Sequence, residues 1–119
     1  MTQTVIPQLR ITDAERSLAF YVDGLGFAVD GTHQLEPGFP LFMQATRVGQ
    51  SLCLTQYAGD CQVGGAVYSI VPDARACHAE FEQHGVAATN PPWDTPWGSC
   101  EFALTDPDRN RLRFASDRA

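Results

Sequence analysis

The sequence predicts an α+β fold in which two tandem βαβββ modules form curved sheets around a cleft. Three observations predict it: an internal repeat, a helix-start signal at the same place in each copy, and short apolar runs cut by Gly and Pro turns. Shifted by about sixty residues, Ile11-Thr12-Asp13-Ala14 falls on Val71-Pro72-Asp73-Ala74, Tyr21 on Phe81, Phe42 on Phe102, Leu52 on Leu112 and Leu54 on Phe114. An offset that survives helix, strand and turn positions implies duplication of one supersecondary unit.

In the first copy, residues 5–11 read as a strand. Thr12 with Glu15 three positions later forms a capping box, opening a helix that carries Ala14, Leu18, Tyr21 and Val22 at helical spacing. Gly24 and Gly26 end it. Strands follow at 25–30, 41–45 and 51–57, separated by Pro37-Gly38 and Val48-Gly49, with His33 in the loop before Pro37. In the second copy a strand at 66–71 precedes a helix from Asp73, with Ala74, Cys77 and Phe81 on one face and Gly85 as its stop. A short strand is expected at 86–89. Trp93 and Trp97, set among Pro91, Pro92, Pro96 and Gly98, read as loop residues. Strands at 101–105 and 111–115 then flank the turn Asp106-Pro107-Asp108-Arg109-Asn110. The repeats run over about 4–57 and 64–115 of a single domain, 1–119.

Composition narrows the function classes. A chain of 119 residues, 44% hydrophobic, buries about two-thirds of its unfolded surface as one globular domain. It has no apolar run of membrane-spanning length and no leader-like N-terminus, so a cytoplasmic location without membrane contact is expected. The formal charge of -6 argues against nucleic acid, which demands a basic footprint. Cys53, Cys61, Cys77 and Cys100 have no CxxC or metal-like spacing and read as small hydrophobes rather than a disulfide framework. His78 and His84 lie on or just after the second helix and read as packing or surface residues.

A module with one helix and four strands covers one sheet face and leaves the other concave. Period-two alternation assigns Ile6, Gln8 and Arg10 to that trough, with Ser51, Cys53 and Thr55 from the fourth strand, Ala66, Tyr68 and Ile70 from the fifth, and Arg111 and Arg113 from the eighth. This mixed lining suits a medium-sized organic ligand.

The duplicated pattern, the segment Thr12 to Tyr21 followed by Gly24-Leu25-Gly26-Phe27, and Asp106-Pro107-Asp108-Arg109-Asn110 resemble the vicinal oxygen chelate superfamily, which includes glyoxalase I and extradiol dioxygenases. Within it, Ile6-Pro7 and Pro96-Trp97-Gly98 followed by Glu101-Phe102-Ala103-Leu104 are most similar to bleomycin-resistance proteins. The resemblance places metal ligands, in the enzymes, at positions held here by Ile6, Cys53, Ala66 and Arg113. Isoleucine and alanine cannot coordinate, and a guanidinium carries positive charge where a cation would sit.

The resemblance therefore implies a homodimer without cofactor or catalytic residue, sequestering a bleomycin-type or other planar aromatic antibiotic in clefts between subunits. Carried over by position, Trp97 is the stacking residue beside Gly98, with Phe42 or Phe39 across the cleft. Thr55 is the hydroxyl residue at the end of the fourth strand, and Pro7 marks the arm that crosses to the other subunit. Tyr68 and Trp93 join the lining, although either Trp could instead cap a core. Glu101 either meets a cationic ligand or neutralises Arg113. Arg10, Arg111 and Arg113 make the trough more positive than a cationic drug favours. An enzyme of the same fold and a binding module for a small metabolite are the alternatives.

Overall fold

The computed structural model describes residues 2–118. It has eight strands and two helices: β1 (Gln8–Arg10), α1 (Ala14–Leu18) continued by a π-helical segment (Ala19–Gly24), β2 (Ala28–His33), β3 (Phe42–Arg47), β4 (Gln50–Thr55), β5 (Ala66–Ile70), α2 (Ala74–Gln83), β6 (Asn90–Asp94), β7 (Ser99–Thr105) and β8 (Arg111–Asp117). They form two four-stranded sheets, ordered β1-β4-β3-β2 and β5-β8-β7-β6, so the duplication seen in the sequence is present as two modules of one topology. In each, the first strand runs parallel to the last and the remaining pairs are antiparallel.

Alternation divides the sheet faces. Leu9, Met43, Ala45, Leu52 and Leu54 of the first sheet join Phe102, Leu104, Leu112 and Phe114 of the second in one buried cluster with Tyr21, Cys77 and Phe81 from the helices. Phe102 and Phe114 stack at 5.2 Å, and Phe81 meets both edge-on. His78 packs its ring 5.3 Å from Phe102, and His84 bonds the carbonyl of Glu80 at the end of α2, in keeping with packing and surface roles.

Several local expectations are corrected. Asp13, not Thr12, caps α1, accepting from the backbone N–H of Arg16 at 3.0 Å, because both the hydroxyl and the N–H of Thr12 are committed to Asp108. The strand expected at 25–30 begins at Ala28. Leu25, Gly26 and Phe27 close the π-helical turn instead, donating to Phe20, Val22 and Tyr21. β2 consequently extends to His33, which pairs with Phe42 rather than lying in a loop. The strand expected at 86–89 lies at Asn90–Asp94, so Trp93 belongs to a strand. β6 tolerates Pro91 and Pro92 because it is an edge strand, with a register shift between Asn90 and Trp93.

The repeat itself slips by one residue. β4 and β8 keep the sixty-residue offset, since the pair Gln8–Cys53 matches Tyr68–Arg113. In β3 and β7, however, Gln44 faces Cys53 while Ala103 faces Arg113, so Phe42 corresponds to Glu101 and Met43 to Phe102. Phe42 is thus on the open face, whereas Phe102 is core. The cause is turn length: β3 and β4 are joined by Val48-Gly49 alone, whereas Asp106 to Asn110 join β7 to β8.

That longer turn also clamps the modules together. Asp106 accepts from the hydroxyl of Tyr21 at 2.7 Å, from the N–H groups of Asp108 and Asn110 at 2.8 Å, and from the Asn110 amide at 2.8 Å. Asp108 receives Thr12, while Asn110 donates to the carbonyl of Arg10 at 2.9 Å and accepts from the N–H of Gly65 at 2.8 Å. Burial, and then the Asp106 carboxylate, push the Tyr21 hydroxyl pKa upward, so it remains a donor.

Candidate functional site

The open face of the second sheet carries the richest convergence of aromatic and polar groups. Glu101 on β7 stands directly across from Trp93 on β6, and Tyr68 on β5 pairs with Arg113 on β8. The loop between β6 and β7 is held by Thr95, whose N–H donates to Ser99 at 2.8 Å and whose hydroxyl accepts from the N–H of Ser99. Gly98 supplies the turn with φ of 97°, which a side chain rarely adopts. Trp97 is thereby turned back over the sheet.

Glu101 organises these groups. One carboxylate oxygen accepts from the Tyr68 hydroxyl at 2.8 Å, the Ser99 hydroxyl at 2.8 Å and the Trp97 indole N–H at 3.1 Å; the other accepts from the Arg113 guanidinium. The side chain is covered by its own partners, and Glu101 is only 3% exposed. Burial alone would raise its pKa, but the donors from Arg113, Tyr68, Ser99 and Trp97 outweigh it and hold the carboxyl at about 2. Arg113 also lies over the Tyr68 ring, 4.6 Å from its centroid, which fixes the ring and guanidinium together. The bond to Glu101, followed by burial, pushes the Tyr68 hydroxyl pKa upward.

Beside this network Trp93 and Trp97 form a corner, with centroids 5.8 Å apart and planes at 88°. They are 47% and 63% exposed, so each offers ring surface to a ligand. The corner borders a hollow of about 460 Å³ lined by Trp93, Trp97, Glu101, Ala103, Arg111 and Arg113, with Asn90 and Pro91 at its rim. A larger hollow, about 760 Å³, lies between α2 and the β5 edge. Its arginine, Arg47, is already bound to Glu80 and to the carbonyl of Leu25, and the rest of its wall is mostly apolar, from exposed Val48 and Ile70 down to core Leu52 and Phe114. The smaller hollow has the better chemistry for recognition.

The structure brings together Trp93, Trp97, Gly98, Glu101, Arg113 and Tyr68. It does not bring Phe42, Phe39 or Thr55 to them. Phe42 is half-buried on the open face of the first sheet, and Phe39 is exposed in the loop before β3. The Thr55 hydroxyl is spent locally, donating to Asp60 at 2.7 Å and accepting from the N–H of Tyr57 at 3.1 Å. Pro7 precedes β1, and its carbonyl accepts from the N–H of Cys53 at 2.9 Å. Sequence reasoning missed Ser99, Asn90 and the position of His33. Sixty residues separate His33 from Trp93, so the two are equivalent in the repeat, but the one-residue slip of β3 hides from spacing alone that His33 lies opposite Phe42.

The positions that the enzyme ligand set would occupy do not suit a metal. Burial, and then Asp60, push the Cys53 thiol upward and keep it protonated, while Arg113 is engaged with Glu101. Among the described residues no three His, Cys, Asp or Glu side chains are grouped to hold an ion, and no helix is long and apolar enough to cross a membrane.

Comparison with known proteins places this geometry. A search among curated proteins finds no match. Among solved structures, the chain is similar to a member of the glyoxalase/bleomycin resistance protein/dioxygenase superfamily from Sphaerobacter thermophilus, at 25% identity and a TM-score of 0.73, covering 97% of this chain and 98% of the other. It shares its fold with TnmS3, an antibiotic-binding protein from Streptomyces sp. CB03234, at 22% identity and a TM-score of 0.75 over 99% of both chains. It does so too with a bleomycin resistance determinant encoded on the transposon Tn5, at 21% identity and a TM-score of 0.79 over 99% and 100%. The family model described as "Glyoxalase superfamily protein" matches residues 1–119, and with two βαβββ modules, each leaving an open sheet face, the chain belongs to that family.

Proposed function

We propose that this protein binds and sequesters a planar aromatic antibiotic, of the bleomycin type or another class, without transforming it, in a cleft completed by a second copy of the chain. The observation that carries the proposal is the exposed Trp93–Trp97 corner set beside a buried carboxylate already engaged by four donors. Stacked aromatic pairs contribute about 0.5–1.5 kcal/mol each beyond area burial, so a flat ring held on two faces gains affinity without chemistry. Glu101, ionised down to about pH 2, is a poor general base near neutrality, and the Cys53 thiol is raised rather than activated.

Several features support the second copy. The hollow is open to solvent on one side. The radius of gyration is 14.8 Å, against about 13.5 Å for a compact chain of this length, and the extents are 49 × 39 × 22 Å. β1 and β5 are both sheet edges, with Val5, Ile70 and Val48 exposed. In the dimer the arm before Pro7 crosses to the other subunit, and Phe42 or Phe39 of one copy meets Trp97 of the other. Solved relatives described as a bleomycin-binding protein complexed with bleomycin and as an antibiotic-binding protein support the ligand class.

The test is a tryptophan-fluorescence titration with bleomycin and a panel of planar antibiotics, with metal analysis of the purified protein and gel filtration alongside. Saturable quenching that is lost in Trp97→Ala is expected, from a dimer that returns the drug unchanged. A stoichiometric divalent ion, turnover of the drug, or a monomer that binds as tightly would overturn the proposal. Quenching by a metabolite while all antibiotics fail would point to a metabolite-binding module instead.

A further inference from the structure

The charges around the hollow are unevenly spent. Glu101 and Arg113 neutralise each other, and the carboxylate is further occupied by three neutral donors. Arg111, exposed and two residues from Arg113 on the same face of β8, is held only by the neutral side chain of Asn90, at 3.0 Å. Among the described residues no carboxylate lies within ion-pair distance of it. The other acid on this face of β8, Asp117, is six residues away, about 20 Å at the rise of a strand, and does not line the hollow. The acid of β6, Asp94, is turned to Arg75. The hollow therefore has aromatic surface at one end and an unpaired cation at the other, with the small Ala103 between.

From this arrangement we infer that the ligand is a planar aromatic acid: a flat ring system lying against Trp97 and Trp93, with a carboxylate, sulfonate or phenolate directed to Arg111. The inference rests on the proposed binding function and sharpens it. A cationic ligand would leave Arg111 facing like charge, while Glu101, 3% exposed and already neutralised by Arg113, offers it little in return. The net charge of -6 on the whole chain does not override this, since a charge in contact outweighs distant charges screened beyond roughly 10 Å. An arginine already oriented by a neutral amide is preorganised for a bidentate acid.

Three probes of nearly equal shape test it by fluorescence titration: anthraquinone-2-carboxylate, its carboxamide, and 2-(aminomethyl)anthraquinone. The carboxylate should bind about tenfold more tightly than the amide, and the cation most weakly. Arg111→Gln should bring the carboxylate-to-amide ratio close to one. Arg16→Gln, an equal change in net charge on α1 of the other module, should preserve it. Thermal melts of both variants establish that they fold. Equal or tighter binding of the amide or the cation refutes the acid assignment while leaving a stacking cleft in place. Loss of the ratio in both variants would make it an effect of net charge rather than of Arg111. If none of the three probes quenches wild type, the stacking cleft itself falls, and this inference with it.

Discussion

Replacing Glu101 by Gln tests the centre of the site, because the two side chains have the same shape and differ in what they can accept. The carboxylate takes three donors on one oxygen and Arg113 on the other. An amide placed either way must turn its NH2 group toward donors, against Arg113 or against Tyr68, Ser99 and Trp97. Holding the carboxyl at about 2 rather than its ordinary 4.5 corresponds to at most about 3.4 kcal/mol. Arg113 is 41% exposed and rehydrates when released, which lowers the cost to about 2 kcal/mol. For a domain of this size that is a fall in Tm of roughly 8 °C at neutral pH. The sign of the pH dependence follows from the depressed pKa: the wild-type contribution is complete above about pH 4.5 and is lost as pH falls toward 2. Calorimetry of both proteins from pH 7 to pH 2.5 should show a constant Tm gap down to about pH 5 that then closes. No gap at pH 7, or a gap undiminished at pH 3, would refute the reasoning.

Other perturbations separate stability from binding. Trp97→Ala, which removes an exposed ring and one donor to Glu101, should lower the unfolding free energy in urea by only about 1 kcal/mol while weakening a stacked ligand about tenfold in fluorescence or calorimetric titration. Tyr21→Phe deletes the one side-chain bond from the π-helical segment to buried Asp106, and should cost about 2 kcal/mol in urea unfolding without affecting ligand affinity. The Ser17 hydroxyl is fully buried and has no partner among the described residues, so Ser17→Ala should leave Tm unchanged or raise it by a few degrees. Gly24→Ala would bring a methyl to within 2.6 Å of a Val86 methyl, and about 1–3 kcal/mol of destabilisation is expected on thermal melting.

The fold was legible because duplication writes the same periodicity twice: Leu9 and Ile11, Leu52 and Leu54, and Leu112 and Phe114 all point inward as alternation requires. Element boundaries were less legible where backbone hydrogen bonds compete. Nothing in Leu25-Gly26-Phe27 distinguishes a strand start from the close of a π-helical turn, and β6 contradicts local propensity with Pro91-Pro92 at an edge. Strand parity puts Tyr68 and Arg113 on the open face, and family resemblance points to Trp97. That all three converge on Glu101 depends on which rotamers cover a carboxylate, and sequence spacing does not carry that. Thr55 was legible as a trough residue, yet its hydroxyl was claimed by Asp60, a loop residue no periodic pattern could have placed.

The turn between β7 and β8 shows why the two modules, alike in topology, are unlike in chemistry. With Val48-Gly49 alone between β3 and β4, the open face of β3 presents Phe42 and Gln44. With the turn from Asp106 to Asn110, which needs Arg109 at a positive φ of 66°, β7 is displaced by one residue relative to its repeat, and the equivalent positions are Glu101 and Ala103. The aromatic of the first module thus stands where the second has its carboxylate. A second copy of the chain, pairing one open face with the other, would set Phe42 against the tryptophan corner and leave Arg111 and Arg113 at the base of the enclosed space. The same turn supplies Asp106, Asp108 and Asn110 to the contacts that fix the modules to each other. The turn therefore both ties the halves together and sets the difference between their faces, and a change that shortens it should cost stability and binding together.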